Sequence, residues 1–221
     1  QGEIDAIVTA PIHKQAVKMA GYPWPGHTEL LAEKFASPRV AMMFAGGPFR
    51  VVLATIHIPL AEVPAQLTTE GILDAIRLAE AALRRWFVAH EPRLGVLGLN
   101  PHASDGGRFG DEEARVIVPA IEQAVGQGID AAGPLSADTA FRQAIEGRFD
   151  CLVAMYHDQA LIPVKTIAFG QAVNITLGID CIRTSVDHGT AYDIAGKGIA
   201  DASSMVSAIR MAAEMASKPA R

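Results

Sequence analysis

The chain has 221 residues, half of them apolar and 19% charged, with 19 Lys and Arg against 24 Asp and Glu for a net charge of −5. That length and mixture suit one large or two small globular domains with a sizeable core and exclude a disordered segment. The acidic balance and the lack of a basic stripe argue against a nucleic-acid partner, and without an apolar run of roughly 18 residues or a basic-then-apolar leader the chain reads as cytoplasmic, with no membrane partner.

Short runs rich in Val, Ile and Leu alternate with longer stretches of helical spacing. From the amino end, IDAIVTA predicts a strand that starts almost at once with no Met before it, as in the interior of a longer protein. GHTE, residues 26–29, sets a glycine before His27 and Thr28 at a helix start, which makes either an anion-binding or hydroxyl-binding corner or an ordinary Thr28 N-cap. RVAMMFA and FRVVLATIH are the next strands. Between Thr68 and His90, the residues Ile72, Leu73, Ile76, Leu83 and Phe87 recur at spacings that predict a helix with one buried face. LGVLGLN is the next strand, and Asp111, Glu112 and Glu113 open the following helix, where carboxylates suit the positive end of the dipole. DCLVAMYH, AVNITLG and IRTSV complete the strands, and Ser203 or Ser204 is expected to cap a last helix through Met215. Strands apolar on both faces that alternate with helices indicate an α/β fold whose sheet is covered on two sides, with function at the strands' carboxyl ends. Cys151 and Cys181 lie in apolar segments, which predicts two buried thiols rather than a disulfide.

Three of the seven histidines, His57, His102 and His157, each close an apolar strand. If those strands are parallel neighbours, their carboxyl ends bring the imidazoles to one edge, where three neutral rings make a ligand set for a divalent ion with open positions for substrate. The alternative is three separate strand-end histidines bonded to loop carbonyls. Asp158, beside His157, is placed to orient a ligand, assist proton transfer or cap the next helix. ASDGGRFGDEE after His102 either approaches a ligand closely or forms a simple turn. Lys165, Asn174 and Arg183 follow in a region poor in other charge and together suit a phosphate or carboxylate. His13, Lys14 and His90 are assigned structural or surface roles. DHGTAYDIAGKGIAD, residues 187–201, has three glycines in ten positions and forms a loop able to wrap a flat ligand.

This loop resembles the HGSAPDIAGKG segment of the isocitrate and isopropylmalate dehydrogenase superfamily, which holds the adenosine half of a nicotinamide cofactor. PGHTELLAE, ATIHIPL, LNPHASDGG, AMYHDQALIPVK and VNITLGIDCIRTSVDHGTA, in that order along the chain, are similar to the 4-hydroxythreonine-4-phosphate dehydrogenase family of vitamin B6 synthesis. The resemblance covers nearly the whole chain but not that family's first hundred or so residues. It implies an isocitrate dehydrogenase-like fold of α/β/α layers, with two domains flanking the active-site cleft. Residues 11–160 would form the metal, substrate and dimerisation domain, and residues 1–10 with 161–221 part of the nucleotide-binding domain. It implies that His57, His102 and His157 hold a divalent metal, zinc before cobalt, magnesium or manganese, and that His27, Thr28, Lys165, Asn174 and Arg183 contact a small phosphorylated substrate. Asp158 and Lys165 carry the catalytic roles. His188, Gly189, Asp193 and Gly196 contact NAD or NADP, with Asp193 at the adenine ribose.

The activity so implied is metal-dependent oxidation of 4-phosphohydroxy-L-threonine at C3 with decarboxylation to 3-amino-2-oxopropyl phosphate, in a homodimer whose sites draw ligands from both subunits. Ser104 and Asp105 stand where relatives commonly have Gly and Glu, and AGKG where many have AGTG, which bears on substrate preference. Three other readings compete: a three-histidine metallohydrolase, a related dehydrogenase acting on threonate 4-phosphate or a cyclic dihydrodiol acid, and a fragment with little or no turnover by itself.

Overall fold

The computed structural model describes residues 4–88 and 90–218. The strands are, in chain order, β1 (Ala6–Thr9), β2 (Ala41–Gly46), β3 (Phe49–Leu53), β4 (Arg93–Leu97), β5 (Asp130–Leu135), β6 (Cys151–Ala154), β7 (Val173–Leu177) and β8 (Ile182–Ser185). They form one sheet in the order β1-β8-β7-β2-β3-β6-β4-β5. The seven strands expected from hydrophobic runs are all present. The eighth, β5, has the sequence DAAGPL, too small and too broken by Gly133 and Pro134 to read as a strand. It lies at the edge of the sheet, where a proline's missing N–H is tolerated.

The sheet is mixed. β3, β6, β4 and β5 are parallel neighbours, but β2 runs antiparallel to both β3 and β7, and β7 antiparallel to β8. The short β2–β3 connection makes a hairpin, and a hairpin reverses direction. The three strands that precede His57, His102 and His157 nevertheless stand side by side and parallel, in the order β3-β6-β4.

The helices are α1 (Lys14–Met19), α2 (His27–Lys34), α3 (Val63–Gln66), α4 (Thr69–Ala82), α5 (Val118–Gly126), α6 (Ala137–Ile145), α7 (His157–Ile167) and α8 (Ser203–Ala216). α4, α5 and α8 cover one face of the sheet, and α6 and α7 cover the other. Alternate strand residues divide accordingly. Cys151 and Val153 join the core under α4, while Leu152 and Ala154 join the core under α6 and α7. This accounts for strands that are apolar on both faces.

Several boundaries differ from the expected ones. α4 ends at Ala82 and passes into a wide turn, Leu83–Phe87, instead of running to His90; Ala89 in this stretch lies outside the described residues. Gly26, not Thr28, is the N-cap of α2. α8 begins at Ser203 with Ala202 as its N-cap, not Ser203 or Ser204, and the Ser203 amide donates to Asp201 Oδ1 just before the helix at 2.8 Å. β6 stops at Ala154 and His157 opens α7, because the Met155 amide leaves the ladder for the Gln159 side chain at 2.7 Å. Cys151 and Cys181 are both free thiols, the first buried and the second only half-buried.

Candidate active site

The exits of the parallel strands are tied together. Thr55, two residues past β3, bonds the Met155 carbonyl at the end of β6 through both its amide (3.2 Å) and its hydroxyl (2.6 Å). Gln159 donates to the Gly98 carbonyl after β4 at 2.7 Å while accepting from Met155, so it links the β4 and β6 exits. These bonds hold the two loops so that the His57 and His157 rings face each other with centroids 5.6 Å apart. Both rings, with Asp158, line a cavity of about 430 Å³. His157 Nδ1 lies 2.7 Å from Asp158 Oδ1, which orients the ring and turns Nε2 outward.

His102 does not join them, and among the described residues no group of three His, Cys, Asp or Glu side chains is arranged to hold an ion. The expected convergence of three imidazoles within one chain is therefore reduced to a pair. The cause is the turn after β4. Residues His102, Ala103, Ser104 and Asp105 all take positive φ, between 47° and 69°, a left-handed run that non-glycine residues rarely adopt. Buried Glu113 pins the approach to this turn by accepting from the Leu99 amide (2.8 Å), the Asn100 amide (2.7 Å) and the Asn100 side chain (2.9 Å). The turn carries His102 to within 6.5 Å of the Phe109 ring, centroid to centroid.

Of the residues expected to bind an anion, Asn174 and Arg183 sit on a polar floor. On the face covered by α6 and α7, Met42 and Phe44 of β2 are core residues, yet their partners across β7 are Thr176 and Asn174. The apolar cover thus ends at β2, and polar side chains begin at β7. Arg183 of β8 is 4% exposed and is fixed by bonds to Thr9 Oγ1 (3.1 and 2.7 Å) and Thr176 Oγ1 (2.9 Å). Three of its five N–H groups are so engaged, and among the described residues none bonds a carboxylate, which leaves donors and a charge for an anion. Asn174 Oδ1 is buried with no hydrogen-bond partner among the described residues, an orphaned acceptor on the same floor.

Burial first, then the Arg183 charge, lowers the pKa of His27 at the start of α2. Burial, then Lys14 and His157, lowers that of His57, with Glu29 opposing. Both effects favour the neutral imidazole. Thr28 follows His27 in the first turn of α2.

Lys165 lies eight residues beyond His157, about 12 Å along α7, and so away from the imidazole pair. It lines a larger cavity of about 830 Å³ together with His188, Gly189 and Gly196 of the glycine-rich loop. Asp193 sits exposed in the short turn Tyr192–Ile194 of the same loop. His13 caps α1 through Nδ1, as a structural role requires, and also lines this cavity edge-on to Tyr192, with ring centroids 5.3 Å apart. Residue spacing does not reveal Glu113 or Gln159 as site-building residues; Glu113 reads as a helix-start carboxylate, and the partners of Gln159 are far away in sequence. Apart from its place beside His157 and Asp158, Gln159 carries no signal.

The sequence and the fold recur in known proteins. A family model described as "Pyridoxal phosphate biosynthetic protein PdxA" matches residues 1–212. The chain is 57% identical over 216 residues to the 4-hydroxythreonine-4-phosphate dehydrogenase of Geobacter metallireducens, covering 98% of this chain and 63% of the relative. Its structure superposes on that of 4-hydroxythreonine-4-phosphate dehydrogenase from Klebsiella pneumoniae with a TM-score of 0.92 at 43% identity, over 98% of this chain and 65% of the other. A terephthalate 1,2-cis-dihydrodiol dehydrogenase from Burkholderia xenovorans is more distant, with a TM-score of 0.75 and 33% identity over 96% of this chain and 67% of that one. The chain thus spans 63% of the length of the Geobacter relative and 65% of the Klebsiella one. Matched over nearly all of its residues and built on the same α/β/α frame, the chain belongs to the pyridoxal phosphate biosynthetic protein PdxA family.

Proposed function

We propose that this chain carries the metal and substrate site of an NAD(P)-linked 4-hydroxythreonine-4-phosphate dehydrogenase, which oxidises C3 of its substrate and releases the carboxylate as carbon dioxide. The observation that carries this reading is the pair of imidazoles of His57 and His157, with centroids 5.6 Å apart, at the carboxyl edge of adjacent parallel strands. The buried, carboxylate-free Arg183 and the unpartnered Asn174 Oδ1 support it.

The donor set fits a divalent cation of borderline softness such as zinc, since a metal-bound histidine must be neutral and His57 is held so by burial. His57 and His157 would hold the ion, and His102 would complete the set in a homodimer whose sites combine residues of both copies. When bound, the cation supplies Lewis-acid polarisation of the hydroxyl being oxidised. Asp158 holds the His157 tautomer through Nδ1 and stands as a proton acceptor beside it. Arg183 and Lys165 grip the phosphate with His27 and Thr28, and Asn174 Oδ1 accepts from a substrate hydroxyl or ammonium.

The glycine-rich loop takes the dinucleotide through His188, Gly189 and Gly196, with Asp193 toward the adenine ribose, where a carboxylate favours NAD. The division into residues 11–160 and residues 1–10 with 161–221 is supported by the strand order, because β1, β8 and β7 fall on one side of β2 and the remaining strands on the other. A cytoplasmic location is in keeping with two free thiols and with the absence, among the described residues, of a helix long and apolar enough to cross a membrane.

The test is titration of the purified chain, supplied with NAD or NADP as hydride acceptor, with zinc, then with 4-phosphohydroxythreonine, and in parallel with threonate 4-phosphate, monitoring metal content, heat and reduced-nicotinamide absorbance. Metal binding lost in His57→Ala and His157→Ala, with hydroxythreonine phosphate bound more tightly than threonate phosphate, is the expected result. Water-dependent cleavage of a substrate with no dinucleotide bound would overturn it in favour of a hydrolase.

A further inference from the structure

A further cavity, of about 460 Å³, lies at the other edge of the sheet from His57 and His157. Arg50, the second residue of β3, projects into it, whereas His57 follows the last residue of that strand. With Val52, Arg50 faces the side of the sheet covered by α4 and α8. The remaining walls include Phe87 at the end of the wide turn after α4, Gln171, and Ser207, Arg210 and Glu214 of α8.

Arg50 is half-buried, and its guanidinium lies over the Phe87 ring at 4.5 Å from the centroid. Its described hydrogen bond runs from NH1 to the Asp150 carbonyl at 3.4 Å, long and to a neutral acceptor. The Asp150 carboxylate is already engaged by Arg93, through the backbone amide at 2.8 Å, Nε at 3.1 Å and NH2 at 3.2 Å. Among the described residues Arg50 therefore has no ion-pair partner, and burial works against its charge. A guanidinium has five N–H donors in a rigid fork, so most of those on Arg50 are left for a ligand. Arg210 brings a second guanidinium to the same cavity, and Glu214 offsets only one of the two charges. A cavity of this volume, lined by Phe49 and Phe87 and a few convergent polar groups, has the dimensions of a small-molecule site.

We propose that this cavity binds the oxyanion group of a small metabolite, a phosphoryl or carboxylate head held between Arg50 and Arg210 with the Ser207 hydroxyl as a further donor. The site is separate from the imidazole pair, the polar floor and the glycine-loop cavity, and the inference does not depend on the reaction proposed above.

Isothermal titration of the purified chain with inorganic phosphate, and separately with acetate, in a buffer free of both, tests it. One binding event is expected that survives Arg183→Met, disappears in Arg50→Met and weakens by about tenfold or more in Arg210→Gln, as loss of a charge-assisted hydrogen bond requires. The methionine keeps an unbranched chain against Phe87. Should that variant still unfold, Arg210→Gln on the exposed surface of α8 gives the same reading. Whichever anion binds more tightly identifies the head group. Phosphate and acetate heats that are absent, or that are unchanged by both Arg50→Met and Arg210→Gln, overturn the proposal. An event removed only by Arg183→Met belongs to the polar floor and overturns it equally.

Discussion

Glu113 shows how one carboxylate can govern a loop fourteen residues upstream. It is 3% exposed, accepts two consecutive backbone amides and an asparagine side chain, and thereby holds the left-handed turn that carries His102. Replacing it by glutamine turns one acceptor into an N–H that confronts other N–H groups. We expect Glu113→Gln to lose about 1–3 kcal/mol in urea denaturation and to weaken zinc binding, read by competition with a chelating dye. Arg183→Lys is the complementary case: an ammonium cannot span Thr9 and Thr176 while still gripping an anion in a fork. Affinity for the phosphorylated substrate should fall about tenfold to a hundredfold, measured by calorimetry, while the far-ultraviolet circular dichroism stays as in the parent. The residues proposed to hold metal and phosphate, His57, His157, Lys165 and Arg183, stand out in the sequence because their chemistry is rare in apolar surroundings. Glu113 and Gln159 do not, because their work is done through backbone groups that any residue supplies.

At the level of elements, periodicity carries most of the information and tertiary bonds set the ends. α4 begins where Thr68 Oγ1 accepts the Gly71 amide at 3.1 Å, and Thr68→Ala should cost about 1 kcal/mol, seen as a lower urea midpoint with an unchanged slope. The junction of β4 and β6 is electrostatic. Burial pushes the Asp150 carboxyl up, but hydrogen bonds from the Arg93 side chain and amide, with the Arg93 and His90 charges, hold it below the usual carboxylate range. A carboxyl whose folded pKa lies below its unfolded value of about 3.9 stabilises the fold above that pH, and the stabilisation disappears as pH falls through the lower folded value. Asp150→Asn should therefore lower the urea midpoint at pH 7, and the gap between variant and parent should narrow as pH is taken to about 3 and below. β5 escapes sequence reading because a strand of small residues with a proline owes its place to an open sheet edge, not to its own propensity.

For the whole molecule, the proposed three-histidine site needs a second copy, because a single chain gathers two of the rings. In the proposed homodimer, mixing His102→Ala and His157→Ala subunits should restore metal-dependent activity, since a hybrid then contains one site with every ligand intact. Activity that stays absent on mixing would place all the ligands of a site in one chain. The sequence by itself determined the α/β class, seven of the eight strands, the glycine-rich loop and the inventory of donors, because each depends on local period or on the chemistry of single residues. Only the tertiary structure decided that the sheet is mixed, that His57 meets His157 while His102 is turned aside, that Lys165 faces the glycine loop, and that Arg50 has no ion-pair partner among the described residues. Those outcomes rest on strand order and on bonds such as that between Thr55 and Met155, a hundred residues apart along the chain. No local pattern encodes a partner at that distance, because the chain segments that meet there share no periodicity, only a place in the sheet.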